Sequence, residues 1–117
     1  MILKRGMVID INLEPVKGSE TGKIRPCIVV TNDIYNQKIP VIQVVLITNW
    51  TEKKELITTN VVLEPNDSNG LTKKSVADCL QTRPIDYTKR LVKLRGIVSL
   101  EELDKINIAL KLVFDLS

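Results

Sequence analysis

Residues 17–26, KGSETGKIRP, bring two glycines, two hydroxyls, one carboxylate and three cations into one ten-residue stretch. It separates two apolar, strand-like runs, MVIDINL and CIVVTN. A hairpin turn needs only about two to five residues, so a polar connection this long is a candidate functional loop. Gly18 and Gly22 let backbone approach a ligand closely. Arg25 opens the second apolar run, which puts its guanidinium on rigid strand rather than on the loop. Such a group beside a glycine-containing loop suits a phosphate, which it can grip with two charge-assisted hydrogen bonds. Two other places carry compatible chemistry. Thr48 ends the run VIQVVLIT and offers a hydroxyl for a phosphoryl oxygen. Gln81 and Arg83 alternate in LQTRPID, an amide and a guanidinium that suit base edges and phosphates. Each feature also has an ordinary reading: a surface loop, a strand-end threonine, a solvated strand face.

Composition narrows the chemistry further. The 117 residues include no histidine, which excludes a histidine general base, a Cys-His dyad and a histidine-ligated metal. Catalysis must then use Arg, Lys, Glu, Asp, Ser, Thr, Tyr or Cys. Cys27 and Cys79 sit inside apolar runs without a CxxC partner and read as buried free thiols of a reducing cytoplasm. The net charge of +3 divides into +5 over residues 1–98 and −2 over the last nineteen, a balance that permits a polyanionic partner without requiring one. Trp50, Tyr35 and Tyr87 are scattered, weak support for base stacking. The cation pairs Lys53-Lys54 and Lys73-Lys74 read as solvated surface. No apolar run reaches the length of a membrane span, and MILKRG lacks the apolar core of a secretory leader. A cytoplasmic protein without membrane contact is expected.

The elements that must position these groups are mostly strands. Apolar residues make up 44% of the chain and aromatics only 3%, so the core must be built from Val, Ile and Leu, which favours pleated sheet. Ile9, Ile11 and Leu13 alternate with Asp10 and Asn12, the period of a half-buried strand. Further strands are expected over residues 25–31, 41–48, 59–64, 74–82 and 91–98, with the third central because it is apolar nearly throughout. A helical turn is expected within NDIYNQKIP and a short turn at IDYTKR. NWTEKKELIT reads as irregular, PNDSNG as a loop, and Pro84 as the end of the fifth strand. Ser99 and Glu102 in SLEE form a capping-box pattern, and Leu103, Ile106, Leu110 and Val113 recur at helical spacing. The expected architecture is mainly β, a small, partly open barrel packed by a C-terminal α-helix, with residues 1–117 as one domain.

In this order the pieces resemble the MazF/PemK family of bacterial toxins. The matching residues are Arg5-Gly6, the Pro15 to Glu20 loop with its Gly-Ser-Glu, Arg25-Pro26, Asn32-Asp33, Ile47-Thr48, the LQTRPID segment and the helix after VSLEEL. The resemblance covers essentially the whole chain. It implies a small SH3-like barrel, a homodimer, and metal-independent cleavage of single-stranded RNA, mRNA included, at short sequences, with no cofactor. It also implies a cognate antitoxin whose C-terminal segment lies across the RNA groove. Position by position, Arg25 matches the family's catalytic arginine, Thr48 its catalytic hydroxyl, and Glu20 a loop carboxylate implicated in activity. Gln81 and Arg83 match positions along the RNA path, and Lys17 and Ser19 in the same loop join them as RNA-binding candidates. Two positions depart from the pattern: Met7 and Leu80 stand where many members carry an acid.

The implied reaction agrees with the residue inventory. The ribose 2′-OH attacks its own 3′-phosphate, giving a 2′,3′-cyclic phosphate and a 5′-OH. The nucleophile comes from the substrate, so the protein must align the phosphate, stabilise charge and move protons. Arginine is a poor base; Glu20 is one candidate for proton transfer if its loop folds over the substrate. Two alternatives keep the fold without the chemistry. One is a gyrase-directed toxin of the CcdB type, which acts through a tryptophan near its end; this chain ends LVFDLS. The other is a barrel that binds RNA or antitoxin without cutting. Both leave RNA intact, and only the second binds it.

Overall fold

The computed structural model describes residues 2–14 and 23–117. Among them run six strands: β1 (Met7–Asn12), β2 (Ile24–Val29), β3 (Val41–Asn49), β4 (Asn60–Leu63), β5 (Ser75–Asp86) and β6 (Leu91–Ile97). They form one antiparallel sheet in the order β4-β5-β3-β2-β1-β6. The strand that is apolar nearly throughout, β3, is interior and apolar-packed on both faces. Val45 and Ile47 join one cluster with Val8, Ile28, Leu63 and Ala77, while Ile42, Val44 and Leu46 join another with Ile9, Ile11, Cys27 and Ile85. A strand covered on both sides loses the polar alternation of a surface strand.

The strand order ends at β4 and β6, and ladder pairing does not close the sheet. The connection after β4 does. Ile97 N–H donates to the Ser68 carbonyl at 2.8 Å, and Arg95 Nη1 donates to the Gly70 carbonyl at 3.0 Å. Asn69, fully buried, braces this loop by donating to the Glu64 carbonyl and accepting from the backbone of Asn66 and Leu71. Gly70 has φ +67°, and a Cβ on it or on Gly96 would run into the facing backbone. The Asn-Gly pair is thus the point where the barrel-like sheet is fastened shut.

The helix α4 (Leu100–Phe114) starts as its sequence requires. Ser99 Oγ accepts from Glu102 N–H, and the Glu102 carboxylate accepts from Ser99 N–H, each at 3.0 Å. Its stripe of Leu103, Ile106, Leu110 and Val113 packs into the first cluster, over β4 and β5. Arg5 ties the N-terminal segment to this frame: its Nε donates to the Val30 carbonyl at 2.9 Å, its backbone N–H to Asp33 Oδ1 at 2.7 Å, and its Nη2 to Asn107 Oδ1.

Two expectations are corrected. Pro84 does not end β5; it pairs with Gln43, and the strand continues to Asp86. The β4 ladder stops at Asp78, so this half of β5 pairs with β3 alone. Proline fits a strand with an open side. Between Val45↔Thr82 and Leu46↔Asp78, residues 79–81 are extra on β5 and form a bulge. Secondly, the segment read as irregular contains a helical turn, α2 (Glu52–Glu55), capped by Thr51, whose side chain accepts from Lys54 N–H. The turn expected in NDIYNQKIP is α1 (Asp33–Asn36), and that at IDYTKR is α3 (Tyr87–Arg90).

Candidate functional site

Arg25 and Thr48 are 23 residues apart in sequence, and the β2–β3 ladder brings them together. Its last pair is Cys27↔Leu46. Two residues further along each strand stand Arg25 and Thr48, on the face shared by Cys27 and Leu46. Both line one cleft of about 220 Å³. Arg25 is exposed and Thr48 half-buried, which suits groups that must meet a ligand. Pro26, which follows Arg25, pairs only with Asp10 of β1 because the β3 ladder has ended. Its missing N–H therefore costs the sheet nothing there.

The cleft is cationic. Lys73 and Arg95 line it with Arg25, Ser75 adds a hydroxyl, and none of the described lining residues is acidic. Arg95 is held by Asp10, Nε to Oδ1 at 2.7 Å, with both side chains largely out of solvent. Arg25 and Lys73 carry no ion pair among the described residues, so both charges remain available to an anion. Thr48 Oγ1 accepts a hydrogen bond from Lys54 Nζ at 3.3 Å, and the same ammonium donates to the Asn49 carbonyl at 2.9 Å. Sequence reasoning named Arg25 and Thr48 as candidates, and both line this cleft. It left Lys54 and Lys73 among solvated cations and did not single out Asp10 or Arg95, because their roles depend on non-local contacts.

The other candidates fall differently. Arg83 lies opposite Val44 on β5 and is half-buried. It shares the sheet face of Arg25 and Thr48 but stands farther along it and does not line the cleft. Gln81 lies in the β5 bulge and donates to Asp78 Oδ2 at 2.8 Å. Leu80 beside it is largely exposed. Lys17, Ser19 and Glu20 lie outside the described residues. The two ends of their loop are pinned: Leu13 N–H donates to the Lys23 carbonyl at 2.8 Å, and Lys23 N–H to Glu14 Oε1 at 2.8 Å. Arg90 Nη1 donates to the Asn12 and Glu14 carbonyls at 2.9 and 2.6 Å. Tyr35 lies on α1, Tyr87 on α3 and Trp50 in the connection between β3 and α2. Trp50 carries the Lys74 ammonium 4.2 Å from its ring centroid and donates to Glu55.

Both cysteines are fully buried, which keeps their thiols from a ligand in the cleft. Burial pushes both thiols up to about 12, for Cys27 against the pull of the Arg83 charge and for Cys79 with help from Asp78. Asp86 is held below the usual carboxylate range, chiefly by the Thr88 hydroxyl. Among the described residues no three metal-ligating side chains cluster, and no helix is long and apolar enough to cross a membrane.

Comparison with known proteins adds a family to this geometry. Residues 4–114 match the family described as PemK-like, MazF-like toxin of type II toxin-antitoxin system. The chain is 37% identical over 112 residues to endoribonuclease EndoA of Bacillus subtilis, covering 96% of this chain and 94% of that protein. Its fold superposes on MazF from Deinococcus radiodurans with a TM-score of 0.83 at 19% identity, covering 98% of each chain. It also superposes on an endoribonuclease in complex with its cognate antitoxin from a mycobacterial species, with a TM-score of 0.75 at 23% identity over 97% of this chain and 95% of the other.

Proposed function

From a chain that belongs to the PemK-like, MazF-like toxins of type II toxin–antitoxin systems, we propose a metal-independent, sequence-specific endoribonuclease that cuts single-stranded RNA, held in check by a cognate antitoxin. The observation that carries this reading is that Arg25 and Thr48, from neighbouring strands, line one cationic cleft. A relative 37% identical is named an endoribonuclease, and a structural neighbour was solved with its antitoxin.

In this reading the scissile phosphate sits against Arg25, which supplies two donors to its non-bridging oxygens. Thr48 supplies a third. The 2′-oxygen bonds to phosphorus while the bond to the 5′-oxygen breaks, and negative charge grows on the phosphoryl oxygens where the donors are already aimed. The 5′-oxygen leaves as a hydroxyl and the 2′-OH loses its proton, with Glu20 the candidate for moving protons. Lys73 draws the neighbouring RNA backbone into the cleft. Lys17, Ser19, Gln81 and Arg83 serve RNA binding. The toxin works in the cytoplasm as a homodimer, with no cofactor and residues 1–117 as its one domain.

The test is to incubate the purified protein with a long single-stranded RNA in EDTA, beside Arg25→Ala, and map the new ends. Discrete cuts with 5′-OH ends, absent with the variant, are expected. RNA left whole by both proteins removes the ribonuclease reading, and inhibition of DNA gyrase would then favour a toxin of the CcdB type.

A further inference from the structure

We propose that Lys54 is a positioning residue for RNA cleavage: its ammonium fixes the direction in which the Thr48 hydroxyl donates its proton. The inference rests on the reading of Thr48 given above.

Lys54 is placed with more care than a solvated lysine requires. Its backbone N–H donates to the Thr51 side chain at 3.1 Å, and its carbonyl accepts from Asn60 Nδ2 at 3.0 Å. The backbone is thereby anchored to α2 on one side and β4 on the other. From this anchor the side chain reaches back to the end of β3, and Nζ donates to both Thr48 Oγ1 and the Asn49 carbonyl. Its neighbour Lys53 is exposed and makes none of these contacts.

The consequence follows from counting protons and lone pairs. An ammonium can only donate, whereas a threonine hydroxyl has one proton and two lone pairs. With Nζ donating into one lone pair, the Thr48 proton must point elsewhere. The nearby Asn49 carbonyl already accepts one hydrogen bond from the same ammonium, which occupies one of its two lone pairs and makes it a poorer acceptor for the Thr48 proton. The hydroxyl is thereby turned to donate into the cleft it shares with Arg25. The chain from Nζ–H to Oγ–H to a phosphoryl oxygen also polarises in one direction, which strengthens the last hydrogen bond. Lys54 thus aims and sharpens a donor without touching the RNA.

The test uses the full-length protein and a short RNA carrying one mapped cut, under single-turnover conditions at several RNA concentrations. Lys54→Met should lower the cleavage rate at saturating RNA by about tenfold and leave the half-saturating concentration unchanged. Lys54→Gln should behave likewise, and serves if the methionine variant does not fold. Lys54→Arg should recover part of the rate, and Lys53→Met should equal the parent. Thr48→Val combined with Lys54→Met should be no slower than Thr48→Val alone. An unchanged rate in both neutral variants, while Thr48→Val is impaired, overturns the role of Lys54 and leaves the site reading standing. A further loss in the double variant overturns it too, because Lys54 would then act independently of Thr48. Full activity in Thr48→Val removes both.

Discussion

Arg25 stands at a strand end, exposed and without an ion pair among the described residues. Removing it should therefore leave the fold alone and damage the chemistry. Arg25→Ala is expected to slow cleavage by at least about a hundredfold with little change in melting temperature, read by RNA cleavage beside a thermal melt. The opposite pattern belongs to Asp10, which is 8% exposed and holds Arg95 at 2.7 Å. Asp10→Ala leaves a guanidinium that is largely out of solvent without its charge partner and should cost about 2 kcal/mol or more, measurable by urea titration. The two thiols give a pH dependence. A thiol whose ordinary value is 9.0 is held at about 12 in the fold, so the unfolded chain loses protons that the folded one keeps. Their contribution is fully present below about pH 9 and falls as pH rises toward 12, at up to about 1.4 kcal/mol per pH unit for each thiol. Urea titrations at pH 8 and pH 10 should show the loss, with a shallower slope in a Cys27→Ala/Cys79→Ala variant.

At the level of elements, each device has one job. The capping box starts α4, and Ser99→Ala should cost about 1 kcal/mol without affecting cleavage, because the helix packs over β4 and β5 rather than on the cleft. Closure of the barrel rests on the loop between β4 and β5 meeting β6. A Cβ at Gly96 would strike the Ser68 carbonyl, so Gly96→Ala should push this loop off β6. The same loop leads directly into Thr72, Lys73 and Ser75 of the cleft. Gly96→Ala is therefore expected to lower both melting temperature and RNA cleavage, whereas Ser99→Ala lowers only the first. The bulge at residues 79–81 explains how β5 serves two partners. Its first half pairs with both β4 and β3, and its second half with β3 alone.

For the molecule as a whole, the balance of charge governs how RNA arrives. The net charge is only +3, but Arg25 and Lys73, neither in an ion pair among the described residues, gather in one cleft, while the charge of Arg95 is balanced by Asp10. Local concentration of charge steers a polyanion better than the total suggests. Half-saturation by RNA should rise with salt as phosphate contacts are screened, while the single-turnover rate at saturation changes little. EDTA should leave cleavage unaffected, and a deoxyribose at the cut position should block it; a cut there would refute attack by the 2′-OH.

Much of this was legible in the residues alone. The alternation in MVIDINL, the apolar run VIQVVLIT, the SLEE cap and the helix stripe are local signals, and local propensity with burial period suffices to place strands and helix. Arg25 and Thr48 could be named as candidates because strand ends are readable and because the segments around them resemble a known family. Tertiary structure alone decided what surrounds them. Lys54 looks like one of two surface lysines until α2 folds and β4 anchors it. Arg95 looks like a polar strand residue until the loop after β4 brings Gly70 to it, with Asp10 on the neighbouring strand. Pro84 looks like a breaker until β4 ends short and leaves that side of β5 open. Periodicity reports which face of an element is buried. It carries no information about which residues distant in sequence meet across the faces, and the cleft is made of such meetings.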